Sequence, residues 1–170
     1  DSAPRDIVKL LNINKLDSVA DIGGATGDFS KHIIKNCNPD YLCMFDANYL
    51  AVNYFQKWID SNNLQNIDSK LCILPDFKSD RVFDKIILGS VLIYLSSLDD
   101  VEECLKKAYD SLSTNGRVLS FHNYDSELFS THPRRKEWDI LSFSYSDVEK
   151  ISSKIGFSNV ERVKVGDYHG

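Results

Sequence analysis

Asp21-Ile22-Gly23-Gly24-Ala25-Thr26-Gly27-Asp28-Phe29 follows a short apolar run, Ser18 to Ile22, and precedes a stretch with helical spacing. The run predicts a strand, and the glycines let the chain turn tightly and approach a ligand closely. From Asp28 to Lys35 the apolar residues Phe29, Ile33 and Ile34 recur at helical spacing, so the segment reads strand, glycine turn, helix. A helix starting there aims its first amide groups and positive dipole end at a negatively charged or carboxylate-bearing ligand. The glycines read Gly-Gly-x-x-Gly, with Asp21 two positions before the first, and so differ from the dinucleotide pattern Gly-x-Gly-x-x-Gly.

The same alternation extends in both directions. Arg5 to Leu11 reads as the end of a helix; Tyr41 to Phe45 as a second strand ending at Asp46; Tyr49 to Ser61 as a helix with Val52, Phe55 and Ile59 on one face. Ser69 to Leu74 predicts a third strand and Lys85 to Leu88 a fourth. The fourth is almost wholly apolar, as a strand of a parallel sheet buried on both faces should be. Asp99 to Ser113 is a helix followed by Gly116, and Arg117 to Phe121 a fifth strand. Ser146-Asp147-Val148-Glu149 has the form of a capping box opening a helix that runs to Gly156, and Val160 to Val165 predicts a sixth strand. The implied fold is a doubly wound, mostly parallel α/β sheet with helices on both faces, in which ligands collect at the carboxyl ends of the strands.

Read at those ends, Asp46 is placed to accept hydrogen bonds from both hydroxyls of a ribose, or to cap the next helix. In Leu74-Pro75-Asp76-Phe77, Asp76 is placed to accept from an exocyclic amine of adenine, with the Phe77 amide donating to a ring nitrogen; a Pro-Asp turn would give the same residues. In this order and spacing the sequence resembles the class I S-adenosylmethionine-dependent methyltransferases. Their first motif, Asp/Glu-x-Gly-x-Gly-x-Gly, is matched by Asp21, Gly23 and Gly27, with Thr26 between them and Ala25 in place of the central glycine. Their fourth motif falls on Phe83 to Leu92, and the likeness extends over residues 5 to 165. The resemblance implies S-adenosylmethionine as cofactor, gripped by the backbone amides from Gly23 to Gly27. It puts the cofactor contacts on Asp21, Gly23, Gly24, Ala25, Thr26, Gly27, Asp46, Ala47, Asp76, Phe77, Gly89 and Ser90. It also implies methyl transfer to an oxygen or nitrogen of a small-molecule metabolite.

The chain lacks Asp/Asn-Pro-Pro-aromatic after the fourth strand, a Pro-Cys nucleophile and a metal-ligand spacing, so base-amine, cytosine-C5 and metal-dependent catechol chemistry lose ground and no metal is expected. His122, at the end of the fifth strand, is the candidate general base, because its ordinary pKa lies near neutrality, and Tyr124 is its companion. Tyr94 is a candidate pocket-lining residue, and the basic cluster His132 to Lys136 a candidate contact for an anionic substrate, set in the long loop from Asn123 to Leu141. Two rival functions share these features: a non-catalytic scaffold or regulatory domain of the same fold, and a nicotinamide-dependent oxidoreductase, against which the glycine spacing counts.

With 170 residues, 42% of them hydrophobic and 26% charged, the chain has the composition of an ordinary globular protein, and one domain over residues 1–170 is expected. A net charge of −5 disfavours a nucleic-acid partner, which needs a basic face to displace counterions. The longest apolar stretch, Ile86 to Leu95, is about half the roughly 20 residues of a membrane span. Four cysteines without Cys-x-x-Cys spacing read as reduced core thiols, which fits a cytoplasmic location. Six strands instead of the usual seven, and few residues before the first, imply either a catalytic core cut from a longer chain or a partner domain or subunit that completes the substrate site.

Overall fold

The computed structural model describes residues 3–121 and 141–163. In chain order the elements are α1 (Ala3–Leu11), β1 (Ser18–Ile22), α2 (Asp28–Cys37), β2 (Tyr41–Asp46), α3 (Tyr49–Ser61), β3 (Ile67–Leu71), β4 (Phe83–Gly89), a single 3-10 turn (Leu92–Tyr94), α4 (Leu98–Asp110), β5 (Leu112–Phe121) and α5 (Tyr145–Ile155). The strands form one sheet in the order β3-β2-β1-β4-β5, and every pairing is parallel.

Successive side chains of a strand point to opposite faces, and here they divide the core in two. Val19, Leu42, Met44 and Ile87 pack with Ile7, Leu11, Ile33, Phe55 and Ile59, so α1, α2 and α3 cover one face. Ala20, Cys43, Phe45, Ile86 and Leu88 pack with Val101, Cys104, Leu105, Ala108 and Val148, so α4 and α5 cover the other. Burial on both faces explains why β4 reads as a nearly continuous apolar run. All four cysteines are free thiols, and no helix among the described residues is long and apolar enough to cross a membrane.

The starts of α3, α4 and α5 follow side-chain caps. Asn48 Oδ1 accepts from the Leu50 amide at 2.9 Å and Ser97 Oγ from the Asp100 amide at 3.1 Å. The box that opens α5 begins at Ser144, not Ser146: Ser144 Oγ accepts from the Asp147 amide at 3.2 Å, and Asp147 Oδ2 accepts from the Ser144 amide at 2.8 Å. Ser-x-x-acid occurs twice in Ser144 to Glu149, and the earlier copy wins the helix an additional half turn.

Two strands depart from expectation. The third runs from Ile67 to Leu71 instead of Ser69 to Leu74, because its partner β2 ends at Asp46 and the Cys72 amide makes the last rung, to the Asp46 carbonyl at 2.9 Å. As an edge strand with exposed Asp68 and Lys70, it carries less apolar signal than the segment after it. The sixth strand is absent from its described part, residues 160–163, where Val163 is exposed; residues 164 and 165 lie outside the described residues. The described sheet therefore has five strands.

Phe45 lies at the centre of the α4 side, with Phe77 and Phe83 meeting it edge to face at centroid distances of 5.0 and 6.3 Å. Phe45→Ala is expected to destabilise the protein by about 3–5 kcal/mol in denaturant titration, whereas Tyr94→Ala, at an exposed position, should cost less than about 0.5 kcal/mol.

Candidate functional site

β1 has β2 on one side and β4 on the other, so successive connections leave its carboxyl end in opposite directions. That is the switch point of the sheet, and the glycine turn sits on it. Gly23 and Gly27 both have φ of 77°, in the left-handed region that favours glycine. Space is equally restrictive. A Cβ on Gly23 would stand 2.7 Å from Val91 Cγ2, one on Gly24 2.5 Å from Met44 Cγ, and one on Gly27 2.2 Å from the Phe55 ring. The turn is thus wedged between the β4 loop, β2 and α3.

Its amides are mostly committed within the protein. Those of Gly23 and Gly24 donate to the Phe45 carbonyl at 2.7 and 3.2 Å, that of Gly27 to the Gly24 carbonyl at 2.8 Å, and that of Ala25 to Asp46 Oδ2 at 2.8 Å. This alters the expectation that the amides from Gly23 to Gly27 hold a ligand. Two of its carbonyls, those of Gly24 and Gly27, are taken as well, by the Gly27 and Lys31 amides. Exposed Thr26 is fixed from outside, its carbonyl accepting from Lys31 Nζ at 2.7 Å.

Asp21 lies under the turn, 2% exposed. The N-cap of α2 is Gly27, which has no side chain to offer. Asp21 substitutes for it, accepting from Ser30 Oγ at 2.6 Å and from the Ser30 backbone N–H. Burial pushes its carboxyl up to about 6, against the lowering effect of the two Ser30 hydrogen bonds, and the charge of Asp46 adds to the rise. Asp21 therefore acts on the site from beneath, through the helix start.

Asp46, at the end of β2, accepts from the Ala25 amide through Oδ2 and from the Asn48 amide through Oδ1, each at 2.8 Å. Every carboxylate oxygen has two lone pairs, so acceptor capacity for hydroxyl groups remains on both. Ala47 follows it, exposed, in the turn to α3. Asp76 is exposed on the loop after β3, with Oδ1 3.0 Å from Lys107 Nζ of α4; that hydrogen bond and charge hold its carboxyl below the usual carboxylate range. Phe77 differs from expectation. Its ring is buried against Phe45, and its amide donates to the Pro75 carbonyl at 2.8 Å, so in this conformation it is not offered to a ligand.

On the β4 side, the Ser90 amide donates to the Phe121 carbonyl at 2.9 Å, and the Phe121 ring passes so close to Gly89 that a Cβ there would lie 2.7 Å from its Cζ. Ser90 is exposed, at φ 53°, a conformation uncommon outside glycine, asparagine and aspartate. Tyr94 projects into solvent from the 3-10 turn. The candidate base His122, its companion Tyr124 and the basic cluster His132 to Lys136 lie outside the described residues. Among the described residues, no group of three His, Cys, Asp or Glu side chains could hold a metal ion.

Ser30, Val91, Phe55 and Lys107 all shape the site, and sequence reading missed them. Only Ser30 carried a local signal: a hydroxyl three residues after a side-chain-less N-cap can be met by a carboxylate from elsewhere.

The buried Asp21 gives a pH signature. Its folded pKa of about 6 stands above the ordinary 3.8, so the folded state binds the proton more tightly. The resulting stability is present in full below about pH 3.8 and is lost as pH rises through about 6. Asp21→Asn, neutral throughout, should therefore gain on the natural protein between pH 4 and 7, by at most roughly 3 kcal/mol, in urea titrations at a series of pH values.

No protein-family model and no curated protein matches the sequence. Solved structures do match. The chain described as a methyltransferase in a complex with the Haloferax volcanii Trm112 methyltransferase activator superposes with a TM-score of 0.82 at 14% identity, over 97% of this chain and 71% of that one. YcgJ from Bacillus subtilis gives 0.73 at 18% identity, over 90% and 67% of the two chains. The N-methyltransferase NodS from Bradyrhizobium japonicum WM9 gives 0.71 at 16% identity, over 89% and 80%. Against the methyltransferase SibL the chain spans 51% of the other's length, and against coclaurine N-methyltransferase 34%. A single parallel sheet wound in both directions from β1, and its close superposition on these structures, give this chain the Rossmann-like fold of the class I S-adenosylmethionine-dependent methyltransferases.

Proposed function

We propose that the chain is the catalytic domain of an S-adenosylmethionine-dependent methyltransferase that modifies an oxygen or nitrogen of a small molecule. The observation that carries this is the placement, at the carboxyl ends of β1, β2 and β3, of a glycine-rich turn, a ribose-type acceptor at Asp46 and a second acceptor at Asp76. These residues fit the cofactor through their donor set: Asp46 keeps lone pairs for hydroxyl groups, and Asp76 Oδ2 is left for an amine. When bound, S-adenosylmethionine supplies an electrophilic methyl on a sulfonium.

The chain's own residues bind and orient. Carbonyls of the turn accept from the amino-acid end, Asp46 accepts from the ribose hydroxyls, and Asp76 accepts from the base amine. Asp21 holds α2 and the turn in place, while Ala25, Thr26, Ala47, Gly89 and Ser90 line the approach. His122 is the proposed general base and Tyr124 its companion; holding the acceptor and its proton near the methyl would supply proximity and deprotonation. Residues 1–170 form one domain in this reading, acting in a reducing cytoplasm. A partner subunit completes the acceptor side, a reading supported by the neighbour solved with an activator protein.

Calorimetric titration tests the proposal. S-adenosylhomocysteine and S-adenosylmethionine should both bind, NADH should not, and Asp46→Ala should weaken binding by roughly 1–3 kcal/mol through loss of two ribose hydrogen bonds. Failure of both adenosyl ligands to bind the folded protein would overturn it. Methyl transfer to an amine or hydroxyl acceptor by the full-length protein separates an enzyme from a scaffold that only keeps the cofactor.

A further inference from the structure

We infer that Lys107 of α4 is a positioning residue for the adenine end of the site, holding one oxygen of Asp76 so that the other is presented to the exocyclic amine of the base. This deepens the cofactor reading and rests on it. Asp76 stands on a loop with its side chain 77% exposed, and a free carboxylate in that setting would sample several rotamers, each lost again on binding a ligand. Two contacts restrain it here, and a third steadies the lysine. Its amide donates to the Ile73 carbonyl at 2.9 Å, closing a turn that fixes the backbone. Lys107 Nζ then takes Oδ1 at 3.0 Å, and Glu103, one helical turn before Lys107, holds the same ammonium at 2.7 Å.

Lys107 can serve as an anchor because α4 is itself fixed: Cys104, Leu105 and Ala108 are buried against the sheet, and the Lys107 side chain is only 23% exposed. The ammonium also holds the Asp76 carboxyl below the usual carboxylate range. Asp76 Oδ2 has no hydrogen bond among the described residues and is the oxygen left for the base. The neighbouring Lys106 makes a different pair, with Asp110 one turn further along the same helix, and is an internal control.

The alternative is that Lys107 competes with the base for Asp76. A double-mutant cycle separates the two, with S-adenosylhomocysteine as the probe in calorimetry. Lys107→Met and Asp76→Ala should each weaken binding, by about three- to tenfold. The double variant should be no weaker than Asp76→Ala alone, because Lys107 acts through Asp76. Lys107→Arg should restore most of the affinity, Lys106→Met should leave it unchanged, and the melting temperature of Lys107→Met should match that of the natural protein. Unchanged or tighter binding by Lys107→Met, or losses that multiply in the double variant, would overturn the inference while leaving the cofactor reading intact. Absence of binding by the natural protein would overturn both.

Discussion

The carboxylate of Asp46 accepts from two backbone amides at once, Ala25 on the glycine turn and Asn48 at the start of α3, and so ties together the carboxyl ends of β1 and β2. Everything at the sheet edge is arranged around that tie. The turn cannot drift toward α3 because the Phe55 ring fills the space a Gly27 side chain would take, and it cannot rise toward β4 because Val91 faces Gly23. The amides of Gly23, Gly24, Ala25 and Gly27 are all bonded within the protein, the first three to β2.

Such an arrangement has a cost, visible at Asp21. A carboxyl 2% exposed would ordinarily be replaced by an apolar side chain, yet here it supplies the cap that Gly27 lacks. Gly27 in turn cannot carry a capping side chain without striking Phe55. The buried acid and the glycine are thus two sides of one constraint: the chain must turn sharply at α2, and the helix start must be satisfied from the strand below.

Most of the fold was legible because its signals are local. The helix from Tyr49 to Ser61 and the strand from Ser18 to Ile22 have the bounds that their periodicity and flanking residues imply. The edge strand was displaced because an edge buries little, so its apolar pattern is weak and its end is set by the length of β2, a tertiary fact. The box at Ser144 was misplaced because two overlapping copies differ only in whether aspartate or glutamate closes them. Within the site, the positions of Asp46 and Asp76 at strand ends could be read from spacing. The commitment of the Phe77 amide to Pro75 and the salt bridge from Lys107 could not, since the first depends on a turn conformation and the second joins residues 31 apart.

Charge adds a last constraint on what the edge can hold. The charge of Asp46 raises the pKa of the buried Asp21, an effect smaller than that of burial itself. A ligand bearing positive charge above them would relieve that repulsion, and a neutral one of the same shape would not. Lys107, at the far end, is already paired with Glu103 and Asp76, so its charge is not free to offset that repulsion.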